Sequence, residues 1–262
     1  RMKTLGFARG SGGSRGVAHV GFLQAMEENG IKPDCISGSS MGAVVGACYA
    51  SGMRAEEMKK AAFALKALDI LDLSGNALKN QALFKSKKMR AKLGEYLGEK
   101  TFADLKIPFS CVSVDLNTGE EVVFDKEYAV ADCVQASSSI PGVFKPVKLA
   151  GRVLADGGLK TRLPIDEVRA LGAEVVVAVD VLGELRRAEK PFNLFTVLFR
   201  MADIYDAGIT ALKLKEQKPD LLIRPDMGDM SQYRIKELET AYNAGYAAGR
   251  EHADRIKELL ES

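Results

Sequence analysis

The sequence has little of several features that mark other classes of protein. Its 262 residues include no tryptophan and only two histidines, His19 and His252, so a histidine-rich metal site is not expected. The four cysteines are scattered without C-x-x-C spacing, which favours buried, reduced thiols over a zinc site or a disulfide framework. Lysine and arginine total 37 against 35 acidic residues, so no global positive charge attracts nucleic acid.

Long apolar segments are also missing. No apolar run reaches the roughly 18 residues that cross a bilayer, and the apolar part of the N-terminus is too short for a signal peptide. The sequence therefore predicts a cytoplasmic protein whose contact with a membrane is at most peripheral. With 47% hydrophobic residues the chain can bury a full core, and we expect a single domain over residues 1–262.

Apolar runs alternate with helical patterns along most of the chain. "KTLGFA" and "CISG" predict strands, and "GVAHVGFLQAMEENG" and "MGAVVGACYASG" predict the helices that follow them. Further strands are predicted at "PFSCVSVDL", "EEVVFD", "GRVLADG", "AEVVVAVDV" and "PDLLIRPD", and helices at 86–97, 129–138, 164–171, 194–214 and 231–260. Strands that alternate with helices favour an α/β fold, with three α/β/α layers around a mainly parallel central sheet.

Two stretches depart from this alternation. Residues 53–105 carry helical spacing and no strand signal, which predicts a helical cap, with a plain helical insertion packed on the sheet as the alternative. The run "FNLFTVLFRMADIYDAGI", most of which lies in the predicted helix 194–214, is apolar around much of its circumference. We expect a core helix there, with a dimer interface or a lipid-facing wall as alternatives.

The segment "GSSMG" fits the G-x-S-x-G nucleophile elbow, in which a strand turns sharply into a helix and presents the central serine. Gly38 and Gly42 leave room for the tight turn because they lack a Cβ. Ser40 is therefore the candidate nucleophile, at a helix N-terminus whose dipole favours developing negative charge.

A second match to the same pattern, "GGSRG", lies in the looser stretch "RGSGGSRG". Successive glycine amides in such a loop can point into one cavity and bind an anion. We assign Gly12 and Gly13 to an oxyanion hole and keep Ser14 as the alternative nucleophile. Nucleotide binding is the weaker use of this loop, since neither a complete G-x-G-x-x-G frame nor a G-K-[ST] ending is present.

The candidate base is Asp156, which follows a predicted strand and precedes Gly157. Its alternative role is that of an ordinary Asp-Gly turn residue. A histidine is the alternative general base. His252 lies on a charged terminal helix, a poor place for a catalytic imidazole, and His19 follows the Gly-rich loop, where we expect it to brace the loop. Asp115 is expected to be a turn carboxylate near Thr118.

Together, the Gly-rich loop, "GSSMG" and "DGG" resemble the patatin-like phospholipase family, in particular its small bacterial members. "VDLNTGEEVVF" and "ASSSIPGVFKPV" are also similar to that family, and the resemblance extends to about Asp180. "ASSSIPGVFKPV" is expected to form a helix end and a rigid turn, at one wall of the cleft near Asp156. One departure is Ser11, where the family often has glycine.

The resemblance implies a Ser-Asp dyad without histidine, carried here by Ser40 and Asp156, with Gly12, Gly13 and the Arg15 segment at the oxyanion positions. It implies a lipid or fatty-acyl ester as substrate, hydrolysed as by a phospholipase A or lysophospholipase. We expect no metal and no cofactor, because the oxyanion loop supplies the electrophilic stabilisation and the sequence has no acidic loop of the EF-hand kind. Homo-oligomerisation and peripheral membrane contact are left open. The competing interpretation is a catalytically silent regulatory or lipid-binding protein on the same fold.

Overall fold

The computed structural model describes residues 1–66, 69, 71–73, 82–187, 193–232 and 237–262. The strands are β1 (Leu5–Arg9), β2 (Cys35–Ser39), β3 (Ala82–Phe84), β4 (Phe109–Asp115), β5 (Glu121–Phe124), β6 (Gly142–Phe144), β7 (Val147–Leu149), β8 (Arg152–Asp156), β9 (Val175–Val179) and β10 (Leu221–Ile223). The helices are α1 (Ala18–Glu28), α2 (Met41–Ala50), α3 (Ala55–Ala64), α4 (Lys87–Leu97), α5 (Val130–Ser137), α6 (Ile165–Ala170), α7 (Leu194–Glu216) and α8 (Leu238–Glu261).

An eight-stranded sheet forms the centre of the fold, in the order β10-β9-β1-β2-β4-β8-β7, with β5 also paired to β4. The strands from β10 to β4 are parallel to one another, whereas β5, β7 and β8 pair antiparallel. The predicted three-layer α/β fold with a mainly parallel sheet is confirmed. The structure adds β3, β6 and β7, each three residues long. Strands this short show too little alternation for sequence-based detection.

Alternation along the central strands divides the interior into two apolar layers. Phe7 of β1 and Val177 of β9 join the larger core, to which α1, α2 and α8 contribute. Ala8 and Val176, on the opposite face of the same strands, pack with residues of α6. Because successive side chains of a strand point to opposite faces, buried strands of this kind are apolar at every position.

The position of β4 brings the ends of two other strands together. β2 pairs with β4 up to Ser39 opposite Val112, and β8 pairs antiparallel with it up to Asp156 opposite Ser113. The other edge of β4 is occupied by β5 over this stretch, so β2 and β8 lie on the same edge. Their C-terminal ends therefore meet at the middle of β4, which places the residue after β2 beside the last residue of β8.

The predicted cap contains helices α3 and α4, and each contributes to the main core. Met58 of α3 and Leu93 of α4 are buried. The expectation of no strand within 53–105 is wrong at β3, which pairs with β6 in a second, two-stranded parallel sheet. Residues 67, 68, 70 and 74–81 lie outside the described part of the chain. A cap over the site therefore stays a prediction.

Helix α7 presents an apolar face to solvent. The exposed large apolar side chains on this helix are Val197, Leu198, Met201, Ile204, Tyr205 and Leu212. Two charged side chains of α7 point inward instead: Asp206 forms an ion pair with Arg162, and Lys213 donates to Thr161 Oγ1. The expectation of a core helix is wrong for this face, because the inward side of α7 is held by polar contacts. A dimer interface and a lipid-facing wall stay predictions.

Candidate active site

Ser40 occupies the sharp turn between β2 and α2. Its backbone has φ 52° and ψ −122°, a conformation that costs a non-glycine residue about 1–3 kcal/mol. A Cβ on Gly38 would lie 2.5 Å from Ala43 Cα, and one on Gly42 would lie 2.2 Å from the Arg9 carbonyl oxygen. Both glycines of the predicted elbow are thus required by close backbone contacts. The turn fixes the Ser40 side chain above the end of the sheet.

The Ser40 hydroxyl is directed at Asp156. Its Oγ donates a hydrogen bond of 2.6 Å to Asp156 Oδ2, and both residues are 5% exposed. The other carboxylate oxygen, Oδ1, accepts a bond of 2.8 Å from the Gly158 amide. A carboxylate anchored through one oxygen and bonded to a serine hydroxyl through the other has the geometry of a base beside its nucleophile.

Burial makes Asp156 a stronger base than an exposed aspartate. It raises the pKa of this carboxyl to about 7, and the negative charge of Asp206 adds to the rise. The hydrogen bonds from Ser40 and Gly158 act in the opposite direction, since they stabilise the ionised form. Desolvation outweighs them, and Asp156 therefore titrates near neutral pH.

A serine run at the end of α5 holds the main chains of both residues. The Ser40 amide donates to Ser137 Oγ at 3.0 Å, and the Asp156 amide donates to the Ser139 carbonyl oxygen at 3.0 Å. The expectation that this segment lies near Asp156 is confirmed, and its role as one wall of a cleft stays a prediction. Its contact with Ser40 was missed, and the only sequence signal for it is the triplet Ser137-Ser138-Ser139 before Pro141.

The Gly-rich loop lies against the same turn. A Cβ on Gly16 would lie 2.1 Å from Met41 Cγ, and one on Gly158 would lie 2.9 Å from Ser11 Oγ. The loop needs glycine at Gly13, where φ is 51° and a Cβ would lie 2.3 Å from the Gln232 carbonyl oxygen. These contacts bring the loop next to the residues that follow Ser40 and Asp156.

The amides of the Gly-rich loop differ in whether they have a hydrogen-bond acceptor. Within the described ranges, the amides of Gly12 and Gly13 have no hydrogen-bond acceptor. The Arg15 amide donates to the Gly12 carbonyl oxygen at 3.0 Å, and its guanidinium Nε donates to the Val181 carbonyl oxygen at 2.7 Å. This corrects the expectation that Arg15 supplies an oxyanion donor, because both groups already hold the loop in place.

Ser14, the alternative nucleophile, is an anchor for this loop. Its hydroxyl lies 3.1 Å from the Ser231 carbonyl oxygen and 3.0 Å from that of Gln232. Its amide donates to the same Gln232 oxygen at 2.9 Å. The second G-x-S-x-G match thus fixes the loop to the segment before α8. Among the described residues the Ser14 hydroxyl has no carboxylate partner, unlike that of Ser40.

Neither histidine is placed as a base for Ser40. His19 is buried, and its Nε2 donates to the Gly10 carbonyl oxygen at 2.7 Å, so the expected bracing of the loop is confirmed. Burial and the nearby charge of Arg9 hold the pKa of His19 well below its usual range. His252 lies on α8 with Nδ1 2.9 Å from the Ala248 carbonyl oxygen.

The remaining candidate residues have structural roles. The Asn117 amide donates to Asp115 Oδ1 at 3.0 Å, which confirms Asp115 as a turn carboxylate. The four cysteines are buried and unpaired. In the part of the chain that the structure describes, no group of three or more His, Cys, Asp or Glu residues is arranged to hold a metal ion.

The fold and the site together define an α/β protein with a serine on a strained strand-to-helix turn and a carboxylate bonded to it. The sequence profile of patatin-like phospholipases matches residues 8–169, a range that contains Gly12, Ser40 and Asp156. The chain belongs to the patatin-like phospholipase family. None of its described helices is long and apolar enough to cross a bilayer.

Relatives with curated names extend beyond this chain. An uncharacterized NTE family protein of Mycobacterium tuberculosis is 36% identical over 179 residues, which are 68% of this chain and 49% of the relative. Lysophospholipase NTE1 of Saccharomyces cerevisiae is 27% identical over an aligned length of 284, gaps included, which covers 95% of this chain and 16% of the yeast protein. The chain thus spans half or less of the length of these relatives.

Two solved structures share the fold. VipD from Legionella pneumophila superposes with a TM-score of 0.61 and 15% identity, covering 97% of this chain and 67% of VipD. ExoU of Pseudomonas aeruginosa, solved in complex with SpcU, gives a TM-score of 0.54 and 16% identity, covering 100% of this chain and 53% of ExoU. At these identities the likeness concerns the fold alone.

Proposed function

We propose that this chain is a lipid acyl hydrolase of the phospholipase A or lysophospholipase type, with Ser40 as nucleophile and Asp156 as base. The observation that carries the proposal is the 2.6 Å hydrogen bond from the Ser40 hydroxyl to the buried Asp156 carboxylate. Membership of the patatin-like phospholipase family supports a lipid substrate, and so does the name lysophospholipase on the fungal relatives.

The first half of the reaction transfers the acyl group to the protein. Ser40 Oγ attacks the ester carbonyl carbon while its proton passes to Asp156 Oδ2, across the hydrogen bond already present. The carbonyl oxygen becomes an oxyanion in the tetrahedral intermediate. When the intermediate collapses, the bond to the leaving alcohol breaks and Asp156 returns the proton to the alcohol oxygen, which leaves an ester on Ser40.

The second half repeats these steps with water. A water molecule gives a proton to Asp156 and attacks the acyl carbon, and the collapse of this intermediate returns the proton to Ser40 Oγ as the fatty acid leaves. In both halves we assign the oxyanion to the Gly12 and Gly13 amides, which have no acceptor among the described residues. Each such donor contributes about 3 kcal/mol to a transition state.

Burial of Asp156 makes a carboxylate sufficient as the base. An exposed aspartate is a weak acceptor for an alcohol proton, and general bases work best when their pKa is near the working pH. Because burial brings the pKa of Asp156 to about 7, proton transfer from Ser40 is less unfavourable than it is to a solvated carboxylate. No imidazole is then required between the two.

Ester hydrolysis is expected to increase as the pH rises through about 7. Only ionised Asp156 accepts the Ser40 proton, so below its pKa of about 7 the value of kcat/KM should fall about tenfold per pH unit. The measurement is kcat/KM from pH 5 to 9 with a short-chain fatty-acyl ester, followed by acid release and corrected for spontaneous hydrolysis. An acid limb near pH 4, the value for an exposed aspartate, contradicts a raised Asp156 pKa.

Labelling with a fluorescent fluorophosphonate tests the nucleophile directly. We expect stoichiometric modification at Ser40, located by peptide mass spectrometry, because this reagent reacts with serines activated by a nearby base. The Ser14→Ala variant is the matched control and should label as the wild type does. A folded wild-type protein that stays unlabelled supports the silent lipid-binding interpretation and overturns the proposed enzyme.

A further inference from the structure

Arg162 is a buried arginine on the segment that follows Asp156. Its side chain is 5% exposed, and its Nε donates to Asp206 Oδ2 of α7 at 2.8 Å. Nη1 donates to the Gly183 carbonyl oxygen at 2.8 Å and lies 3.4 Å from Asp180 Oδ1, both just after β9. One guanidinium therefore joins the Asp156 segment to two other elements around the site.

The main chain of Arg162 reaches the Gly-rich loop. Its carbonyl oxygen accepts a hydrogen bond of 3.1 Å from the Ser11 amide, directly before the two glycines assigned to the oxyanion. Between Asp156 and Arg162 the chain forms a compact turn, in which the Thr161 amide donates to the Gly157 carbonyl oxygen at 2.8 Å. A displacement of Arg162 would therefore move both the carboxylate and the loop.

The charges around this arginine come from four elements. Arg162 after β8 faces Asp206 of α7 and Asp180 after β9, and Asp180 also accepts from Arg224 after β10 at 3.1 Å. Arg15 of the Gly-rich loop contributes a further positive charge near Asp180. On its own helix, Asp206 accepts from the Thr210 hydroxyl at 3.3 Å.

Among the charged residues around Arg162, Asp206 also affects the pKa of Asp156. Ser40 and Gly158 bond directly to Asp156, whereas Asp206 acts through its negative charge and favours the neutral carboxyl. Removing that charge while keeping the shape of the side chain should therefore favour ionised Asp156. If Arg162 and Asp206 only stabilised the fold, removing the charge of Asp206 would leave the pKa of Asp156 unchanged.

We propose that Arg162, held by Asp206, is a positioning residue that fixes Asp156 and the Gly-rich loop relative to each other. The inference rests on the proposed function, since it assigns a role in the same site. Neither residue touches Ser40 or the Asp156 side chain directly. Arg162 acts on the alignment of the base with the oxyanion donors, where a misplacement of about 1 Å between reacting groups can cost about 100-fold in rate. Asp206 holds Arg162 in place and also acts on Asp156 through its negative charge.

The test compares Arg162→Ala, Arg162→Lys and Asp206→Asn with wild type by steady-state kinetics on a fatty-acyl ester. Arg162→Ala should lower kcat about 100-fold with KM changed less than about threefold, because positioning acts on the reacting atoms. Arg162→Lys should recover part of that loss. Asp206→Asn, which can still accept from Arg162 Nε, should move the acid limb of kcat/KM to lower pH.

Arg169→Ala is the matched control, because Arg169 also bonds an aspartate and a backbone oxygen, those of Asp220 and Lys218, on the outside of the fold. It should keep wild-type kinetics and pH profile. If Arg162→Ala does not fold, as judged by circular dichroism, Arg162→Lys and Asp206→Asn decide the question.

Two results overturn the inference. One is an Arg162 variant that folds and matches Arg169→Ala in kcat, and the other is an Asp206→Asn profile that superposes on the wild type. Failure of the proposed function is a separate result, seen when wild type and Ser40→Ala show equally little hydrolysis.

Discussion

Ser40→Ala is expected to abolish hydrolysis of a chromogenic fatty-acyl ester, and Asp156→Asn is expected to do the same. We expect losses of at least about 10⁴-fold in kcat, the usual effect of removing a nucleophile or its base from a hydrolase. Ser40→Ala removes the attacking oxygen. Asp156→Asn keeps the shape of the side chain, since its oxygen can still accept from the Gly158 amide, but an amide cannot take the Ser40 proton.

The controls for this prediction are Ser14, the alternative nucleophile, and His252, an alternative base. Ser14→Ala should retain turnover within about tenfold, because the Ser14 hydroxyl bonds carbonyl oxygens of the segment before α8. His252→Ala should be active, since His252 lies on α8 and contacts its own helix. Circular dichroism confirms that each variant folds. Normal turnover by a folded Asp156→Asn protein refutes the assignment of the base.

The elbow could be predicted from sequence because its signals are local. An apolar strand, a turn with glycine on both sides of Ser40 and a helix of small residues follow one another without interruption, and each is visible within a few residues. The structure places β2, Ser40 and α2 in that order. The helices and the longer strands were predictable for the same reason, since their periodicity is contained in short windows.

The meeting of Ser40 with Asp156 could not be derived from local pattern. It depends on β8 pairing antiparallel with β4 on the edge that β2 also uses, and strand pairing of this kind leaves no periodic signal in either segment. Similarity to a known family supplied that contact. The support from Ser137 and Ser139 was only partly visible, because their partners lie far away in the chain.

Helix α7 shows how distant ion pairs reverse a local expectation. Its many apolar residues favour burial, but Asp206 pairs with Arg162 and Lys213 Nζ donates to Thr161 Oγ1 at 2.6 Å, which fixes the polar side inward. Those partners lie in the segment after β8, and nothing in the sequence of the helix identifies them. The apolar side is consequently turned to solvent, where Tyr205 is 65% exposed.

The base of the site should also lower the stability of the fold at neutral and alkaline pH. Burial raises the pKa of Asp156 from 3.8 to about 7, so the folded state favours the neutral carboxyl. The stability that the neutral, buried Asp156 carboxyl contributes is fully present below about pH 4 and is lost as the pH rises through about 7. The difference in pKa corresponds to a destabilisation on the order of 4 kcal/mol above pH 7.

Asp156→Asn should therefore be more stable than wild type at pH 8.5, and the difference should shrink to about 1 kcal/mol at pH 4.5. The neutral amide avoids the cost of burying a charge, and it can accept from Gly158 and donate to Ser40 Oγ. Urea unfolding of both proteins at the two pH values measures the effect as a change in midpoint at constant slope.

Asp125→Asn is the control for this comparison, because Asp125 is exposed and its substitution should leave stability unchanged at both pH values. Equal stability of Asp156→Asn and wild type at pH 8.5 would contradict the raised pKa, whatever the activity of the variant. A gain in stability together with complete loss of hydrolysis would instead show that the same buried carboxylate destabilises the fold and activates Ser40. The desolvation that makes Asp156 a competent base is the physical cause of both effects.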